Sequence, residues 1–378
     1  MNIALTRGEM LESKYGYDVD YYALSLETRD FSLKDFLAGE YGIGNTQCCG
    51  HNIHLLIKKE FKSDNRIVKF LIRVYYKLTK RRIRDWNWQD GLGKYLKGYE
   101  VITAHFDDAA IIARSAHRRY GTPFFVTWHG SDIHTIPYNS RAARLRTVQC
   151  LNDAECNFFV SAALMKASEP LATDIRKDVI YNAVDSVYTR YDEKRRAQLR
   201  KETGTEGFKV VAFAGRLRPI KNAELLPDIF YGVSQRFKGA VKFFIYGDGP
   251  LMERVEERVK EMGIDCTLMG AVETNKLADY YNITDVLVLP SKNEGLPLVI
   301  IEALSCGANV VGTKVAGIPE EIDTRYCVEL DDNLVDNFAK VVTGLLEHPC
   351  VQPVDERFSW DYIARFEDGY YKKYAKRV

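Results

Sequence analysis

The sequence predicts an α/β fold made of two consecutive domains, each a parallel sheet with helices on both faces. Three observations predict it. Short β-rich runs alternate with longer helical patterns, which is how βαβ units read. The alternation runs once, breaks at a charged stretch near residue 186, and begins again. The 378 residues are enough for two domains of ordinary size.

In the first half, "NIAL" at the N-terminus and "DVDYYAL" are candidate strands, with only a very short helix between them. "EVITAH" (100–105) is a strand ending in His105, followed by the helical "DDAAIIARSAHRRYG". "PFFVTWHG" is the next strand, "CNFFVSAALMKAS" a strand and then a helix, and "KDVIYNAVD" a strand running into polar text. From about residue 186 "YTRYDEKRRAQLRKETGTEGF" reads as a charged helix. In the second half "KVVAFAGRL" is a strand and "NAELLPDIFYGVSQRF" a helix, then "VKFFIYGDGP" a strand with a turn and "LMERVEERVKEMG" a helix. "CTLMGAV", "VLVLPS" and "NVVGT" are further strands, with "LPLVIIEALSCG" a helix between the last two. No repeat of 20–50 residues and no low-complexity tract is visible. In such sheets ligands sit beyond the carboxyl ends of the strands.

Composition removes several classes. The chain is 46% hydrophobic and 28% charged, with a formal net charge of +1, so nothing pulls it globally toward nucleic acid. Its eight cysteines show no CxxC and no metal-ligand spacing, and scattered thiols fit a reduced, cytoplasmic setting. "MNIALTRGEM" is too short in apolar residues for a signal peptide, and no run approaches the roughly 20 that a membrane helix needs.

Three segments carry chemistry. In "NEGLPLVIIEALSCG" (293–307), Pro297 suits the first turn of a helix and Gly307 the position past its end. Glu294 then lies in the loop before the helix, and Glu302 about a turn and a half inside it. A helix start attracts phosphate, and flanking carboxylates accept hydrogen bonds from hydroxyls. Two such carboxylates suit a sugar on one side and a ribose on the other. The plainer alternative makes Glu294 a solvated loop residue and pairs Glu302 with a buried cation. In "FAGRLRPIKN" (213–222), Arg216 and Lys221 lie between a strand and a helix, as phosphate ligands or as solvated cations. In "IYGDGPL" (245–251) small residues follow a strand, for ligand approach or for a tight turn. No GxGxxG occurs, which argues against a dinucleotide dehydrogenase.

Strand-GRL-x3-KN, GDGP, "EGLPLVIIE" and "AGIPE" (316–320), in that order, resemble the retaining GT-B glycosyltransferases of family GT4, glycosyl transferases group 1. The strong part of the resemblance covers residues 207–325. "TWHGSD" (127–132), "EVITAHFDDA" and the closing "FSWDYIARFEDGYYKKY" (358–374) resemble further family segments. The resemblance implies an acceptor-side domain over 1–185 and a donor-side domain over 186–360, facing each other across a cleft, with a last helix (361–378) crossing back to the first. It implies a hexosyltransferase that moves sugar from a nucleotide diphosphate to a glycan or a polyprenyl- or other lipid-linked acceptor, in polysaccharide or glycolipid synthesis. A UDP-sugar is favoured over a GDP-sugar, and no metal or other cofactor is expected. Arg216 and Lys221 would hold the diphosphate, Glu294 the sugar, and Glu302 the ribose. Gly215, Gly247, Gly270, Gly295, Leu296 and Leu298 would line the donor. His129 would face the transferred sugar, with His105, Asp132 and Gly8 on the acceptor side. A His after a strand can equally be structural. The alternatives are a GT-B sugar-nucleotide epimerase, or a non-catalytic nucleotide-sugar-binding protein with a degenerate acceptor side.

Two segments stand apart. The family's glycine-rich loop after the first strand is reduced here to Gly8 and Gly16, and "YGIGNTQCCGHNIH" (41–54) has no evident counterpart. Residues 58–84 hold eleven Lys/Arg against two Asp/Glu, with Phe70, Leu71, Val74, Tyr75 and Leu78 at helical spacing. Such a stretch either lies on an anionic membrane or packs one face on the sheet. The expected localisation is cytoplasmic, peripheral on the inner face of the cell membrane if the helix docks there.

Overall fold

The computed structural model describes residues 3–30, 42–48, 50–60 and 92–375. The chain divides into two compact units. One comprises Asn2–Phe159, Ala167–Ile180 and Ala364–Val378; the other is chiefly Val160–Lys166 and Tyr181–Ile363.

The first unit opens with helix α1 (Ile3–Tyr15), not with a strand at "NIAL" and not with a very short helix. Leu5, Gly8 and Leu11 recur at helical spacing and are buried, so the apolar residues face one way only if the segment is coiled. Strands β1 (Tyr21–Asp30), β2 (Gly42–Cys48) and β3 (His51–Glu60) form one sheet in the order β1-β3-β2. β1 and β3 are parallel, whereas β2 returns antiparallel to β3. Within the glycine-rich stretch, Gly42–Cys48 and the start of β3 are therefore the two arms of a hairpin, and Gly50 between them takes φ +87°. The proposed basic helix of 58–84 begins inside β3, which runs through Lys58–Glu60, and the rest of it lies outside the described residues.

A second sheet holds β4 (Ile102–His105), β5 (Phe124–Trp128), β6 (Cys156–Phe159) and β7 (Lys177–Val179), parallel and in sequential order. β5 and β6 are buried along their whole length. Around them run α2 (Phe106–Tyr120), the single turn α3 (Ser131–His134) and α4 (Arg141–Asp153), while α5 (Ala162–Ala167) falls almost wholly in the other unit. The final helix α12 (Trp360–Ala375) sends Phe366, Tyr370 and Tyr371 against Phe125 and Phe158, at ring-centroid distances of 5.0–6.5 Å. Arg7 of α1 is buried there, donating to Glu367 of α12 (3.2 Å) and Thr127 of β5 (3.1 Å).

The second unit is one six-stranded parallel sheet, ordered β10-β9-β8-β11-β12-β13. Its strands are β8 (Lys209–Ala214), β9 (Val241–Tyr246), β10 (Cys266–Gly270), β11 (Val286–Leu289), β12 (Asn309–Thr313) and β13 (Cys327–Val328). Five helices accompany them: α6 (Glu193–Glu202), α7 (Leu226–Arg236), α8 (Met252–Glu261), α9 (Thr274–Ile283) and α10 (Leu298–Ser305), with α11 (Leu334–Glu347) last. The charged stretch turns helical only at Glu193, where Asp192 accepts from the Arg195 amide (2.8 Å) as N-cap. Val210–Phe213 and Val286–Leu289 are fully buried, each valine, leucine or phenylalanine side chain among them contributing about 1.5–3 kcal/mol. The chain runs outward from β8 to β10, then restarts at β11 on the other side of β8. Strand order reverses between β8 and β11, and in open α/β sheets ligands settle beyond the carboxyl ends of the strands at such a point. Among the described residues, no helix is long and apolar enough to cross a membrane.

Candidate active site

The reversal point of the six-stranded sheet gathers residues from both neighbouring strands. Lys221 arrives from β8, in a short turn (Pro219–Lys221) closed by Asn222 at φ +52°. Glu294 arrives from β11, in the loop before α10. The Lys221 ammonium meets the Glu294 Oε1 at 2.5 Å, and the Ser291 hydroxyl donates to the same oxygen at 2.6 Å. The backbones are tied too: the Lys292 amide donates to Ile220 O (2.8 Å), and Thr313 Oγ1 to Ser291 O (2.6 Å). Glu294 is thus a held and nearly buried acceptor, with 11% of its side chain exposed. Arg216, one residue past Gly215, is exposed and makes no ion pair with a described residue.

Glycines let these loops close. Gly215 (φ +145°) and Gly247 (φ +132°) follow β8 and β9, and a Cβ on Gly247 would stand 2.0 Å from Gly215 O. The Gly247 amide donates to Gly270 O (2.7 Å), joining the ends of β9 and β10. Gly317, within "AGIPE", has Gly295 O where its Cβ would be, at 2.0 Å, and its amide donates to Glu294 O (3.3 Å). The Gly295–Leu298 segment is pinned in front of α10 in this way. Leu296 is buried and Leu298 opens the helix. Pro297 is the N-cap residue, one position before the first turn expected for it.

Glu302 sits on the second turn of α10. Its partner is not a buried cation: the Tyr281 hydroxyl of α9 donates to it at 3.1 Å. Burial pushes its carboxyl up to about 7, against the hydroxyls of Tyr281 and Tyr188, which favour the charged form. Glu320 has a structural task, accepting from the Ala162 and Ala163 amides at the start of α5 (both 2.8 Å) and from the Tyr181 hydroxyl (3.1 Å).

The first unit has its own polar cluster at the carboxyl ends of β4 and β5. His105 Nδ1 and His129 Nε2 share a hydrogen bond of 3.0 Å. Asp132 is fully buried and accepts from the His129 (2.9 Å) and Gly130 (2.7 Å) amides, so it shapes the loop. Burial, then the positive charge of Arg7, pushes the His129 imidazolium down to about 3; the same causes depress His105. Both imidazoles are neutral, one ring nitrogen donating and the other accepting. Burial and the Asp108 and Asp132 charges raise Asp107 to about 6. Gly8 is in no loop: it lies inside α1, where a Cβ would come within 2.3 Å of the Tyr21 hydroxyl. In α1 it is a packing glycine.

Ser291 and Tyr281 were not singled out by sequence. Ser291 stands three residues before Glu294, a local spacing that could have shown it. Tyr281 comes from a separate helix and leaves no sequence signal. Among the described residues, no group of three or more His, Cys, Asp or Glu is placed to hold a metal ion.

Comparison with known proteins bears on both units. The family model described as "Glycosyl transferases group 1" matches residues 208–348, and the one described as "Glycosyltransferase Family 4" matches residues 49–187, together well over half of the chain. The chain belongs to the group 1, family 4 glycosyltransferases. Among curated relatives, this family 4 chain is 28% identical over 213 residues to N-acetyl-alpha-D-glucosaminyl L-malate synthase of Bacillus anthracis, covering 54% of each. It is 32% identical over 187 residues to D-inositol 3-phosphate glycosyltransferase of Segniliparus rotundus, covering 47% of the chain and 41% of that protein. It spans about half the length of the curated relatives it matches. Anabaena HepE in complex with UDP superposes with a TM-score of 0.65 at 17% identity, over 84% of this chain and 86% of that one. Sucrose-phosphate synthase of Thermosynechococcus elongatus gives 0.66 at 17% identity, over 98% and 92%. The fold of this family 4 glycosyltransferase is GT-B.

Proposed function

We propose that the protein transfers a hexosyl group from a nucleotide-diphosphate sugar, a UDP-sugar in preference to a GDP-sugar, to a hydroxyl of a glycan or lipid-linked acceptor with retention at the anomeric carbon. The observation that carries this reading is the Lys221–Glu294 pair at the strand-order reversal, 2.5 Å apart in front of the α10 N-terminus. Departure of a nucleotide diphosphate builds negative charge, and fixed cations and helix amides aimed at it lower the barrier. Lys221 and Arg216 supply the cations. Glu294 supplies a hydrogen-bond acceptor for sugar hydroxyls, and Glu302 one for a ribose. The relatives named for glycosyl transfer, and the neighbour solved with UDP, support the choice of substrate class. Neutral His129 is offered to the transferred sugar.

The test is a thermal-shift and calorimetric screen of UDP-, GDP- and ADP-sugars, followed by release of the nucleotide as a rate. Lys221→Ala and Glu294→Ala are each expected to lower kcat/KM by a hundredfold or more, about 3 kcal/mol of transition-state stabilisation, with the fold intact by circular dichroism. Unchanged turnover in both variants would defeat the site assignment. Donor binding without any turnover would favour the non-catalytic alternative.

A further inference from the structure

The junction of β4 and α2 holds a feature that the reading above leaves unused. Phe106 takes φ +68°, a left-handed conformation rarely occupied by bulky side chains. The residue is 50% exposed, while Ala104 before it and Ala110 after it are buried. Its ring is stacked on the His129 imidazole, with centroids 4.2 Å apart and planes 27° apart. The imidazole is itself fixed, by the hydrogen bond to His105 (3.0 Å) and by the Asp132 clasp on its backbone. A strained backbone therefore presents an aromatic ring that is backed on one side and half open to solvent. Folding alone does not require this, and such outliers gather where a ligand is met.

The charges nearby narrow the ligand. Asp107 and Asp108 follow Phe106 on α2, and the charges acting on Asp107 are those of Asp108 and Asp132. The cation whose charge reaches both histidines is Arg7, which is buried on Thr127 and Glu367. This surface repels a small anion and offers carboxylates to hydroxyls.

We propose that Phe106 is the platform on which the C–H face of a neutral sugar or cyclitol ring of the acceptor stacks, with the neighbouring carboxylates taking its hydroxyls. The inference rests on the glycosyltransferase reading and deepens it by naming the acceptor class. The negative face of an aromatic ring attracts the polarised C–H groups of such a ring, while a hydroxy acid has no flat C–H face to offer and brings charge to an acidic surface.

The experiment is saturation-transfer NMR titration of methyl α-D-glucopyranoside, myo-inositol and L-malate, with UDP at saturation. The proteins are the wild type and the Phe106→Gly, Phe106→Ala and Phe106→Trp variants. Glycine relieves the strain, so Phe106→Gly is expected to melt no lower than the wild type. Ring-probe affinity is expected to fall about tenfold in Phe106→Gly and Phe106→Ala, and to return in Phe106→Trp. UDP affinity should be the same in all four proteins. Ring probes that bind Phe106→Gly as they bind the wild type would overturn the proposal while UDP binding still stands. So would a wild type that prefers L-malate, or that binds no ring probe. Failure of UDP, GDP and ADP alike to bind the wild type would defeat the nucleotide-sugar reading and the acceptor assignment with it.

Discussion

Glu321 shows how a single residue can be fully folded in and still poorly accommodated. Its side chain is buried, and neither carboxyl oxygen has a hydrogen-bond partner among the described residues. Burial, then the charges of Glu294 and Glu320, push its pKa well above the ordinary glutamate value, and only Lys221 opposes them. Below the ordinary glutamate range both the folded and unfolded chains keep this proton, and nothing is lost. As pH rises past that range the unfolded chain releases its proton while the folded chain retains it. Stability then falls by about 1.4 kcal/mol per pH unit until the folded-state value is reached. Glu321→Gln cannot ionise, so its melting temperature should exceed that of the wild type by more at about pH 8 than at about pH 5. Equal differences at the two pH values would show that Glu321 is not the group responsible. Sequence gives no warning of this carboxyl, because "PEEID" reads as a polar turn. Lys221 and Glu294 are legible, since each lies in a loop between a clear strand and a clear helix. Their direct bond is not, because it joins residues 73 apart.

Whole elements were easier to read than their ends. Strands β8, β9, β11 and β12 are largely buried apolar runs, and they fall where the pattern places them. "NIAL" deceived because so short a run, with three apolar residues, fits a strand or a helix equally, and only the buried positions further along α1 decide. Glycine positions are similarly ambiguous until the neighbouring backbone is seen. Gly317 faces Gly295 O at 2.0 Å, whereas Gly344, exposed in the last turn of α11, has open space around it. Gly317→Ala should therefore cost on the order of 1–3 kcal/mol by overpacking, and should loosen the loop that holds Glu294. Gly344→Ala should stabilise the protein by about 0.5–1 kcal/mol, because glycine is a poor helix former. Denaturant titration of both variants checks the pair, and a shared sign would contradict the packing argument.

At the scale of the whole molecule, the βαβ alternation announced parallel sheets, and they are present in both units. The β2–β3 hairpin was not legible, because Gly42 and Gly44 lie within β2 and Gly50 in the turn, none of them in a phosphate loop. The basic run from Lys58 to Arg84 remains a sequence feature, and it belongs with the proposal of a lipid-linked acceptor. Replacing Arg81, Arg82 and Arg84 with alanine should weaken binding to anionic vesicles, by about 1 kcal/mol per charge removed near the surface. Added salt should erase the difference. Sedimentation that ignores both charge and salt would remove the membrane from the proposal.

The bond between Lys221 and Glu294 has a consequence for selectivity. Each group is the other's occupant until a ligand arrives, so binding is an exchange and not a filling of empty space. A diphosphate without a sugar would draw Lys221 away and strand a nearly buried carboxylate, and a free sugar would strand the ammonium. Only a molecule bearing both parts satisfies both groups at once. On the proposed function the pair would work as a coincidence detector, giving an intact donor an advantage over its own fragments, including the nucleotide left behind after transfer.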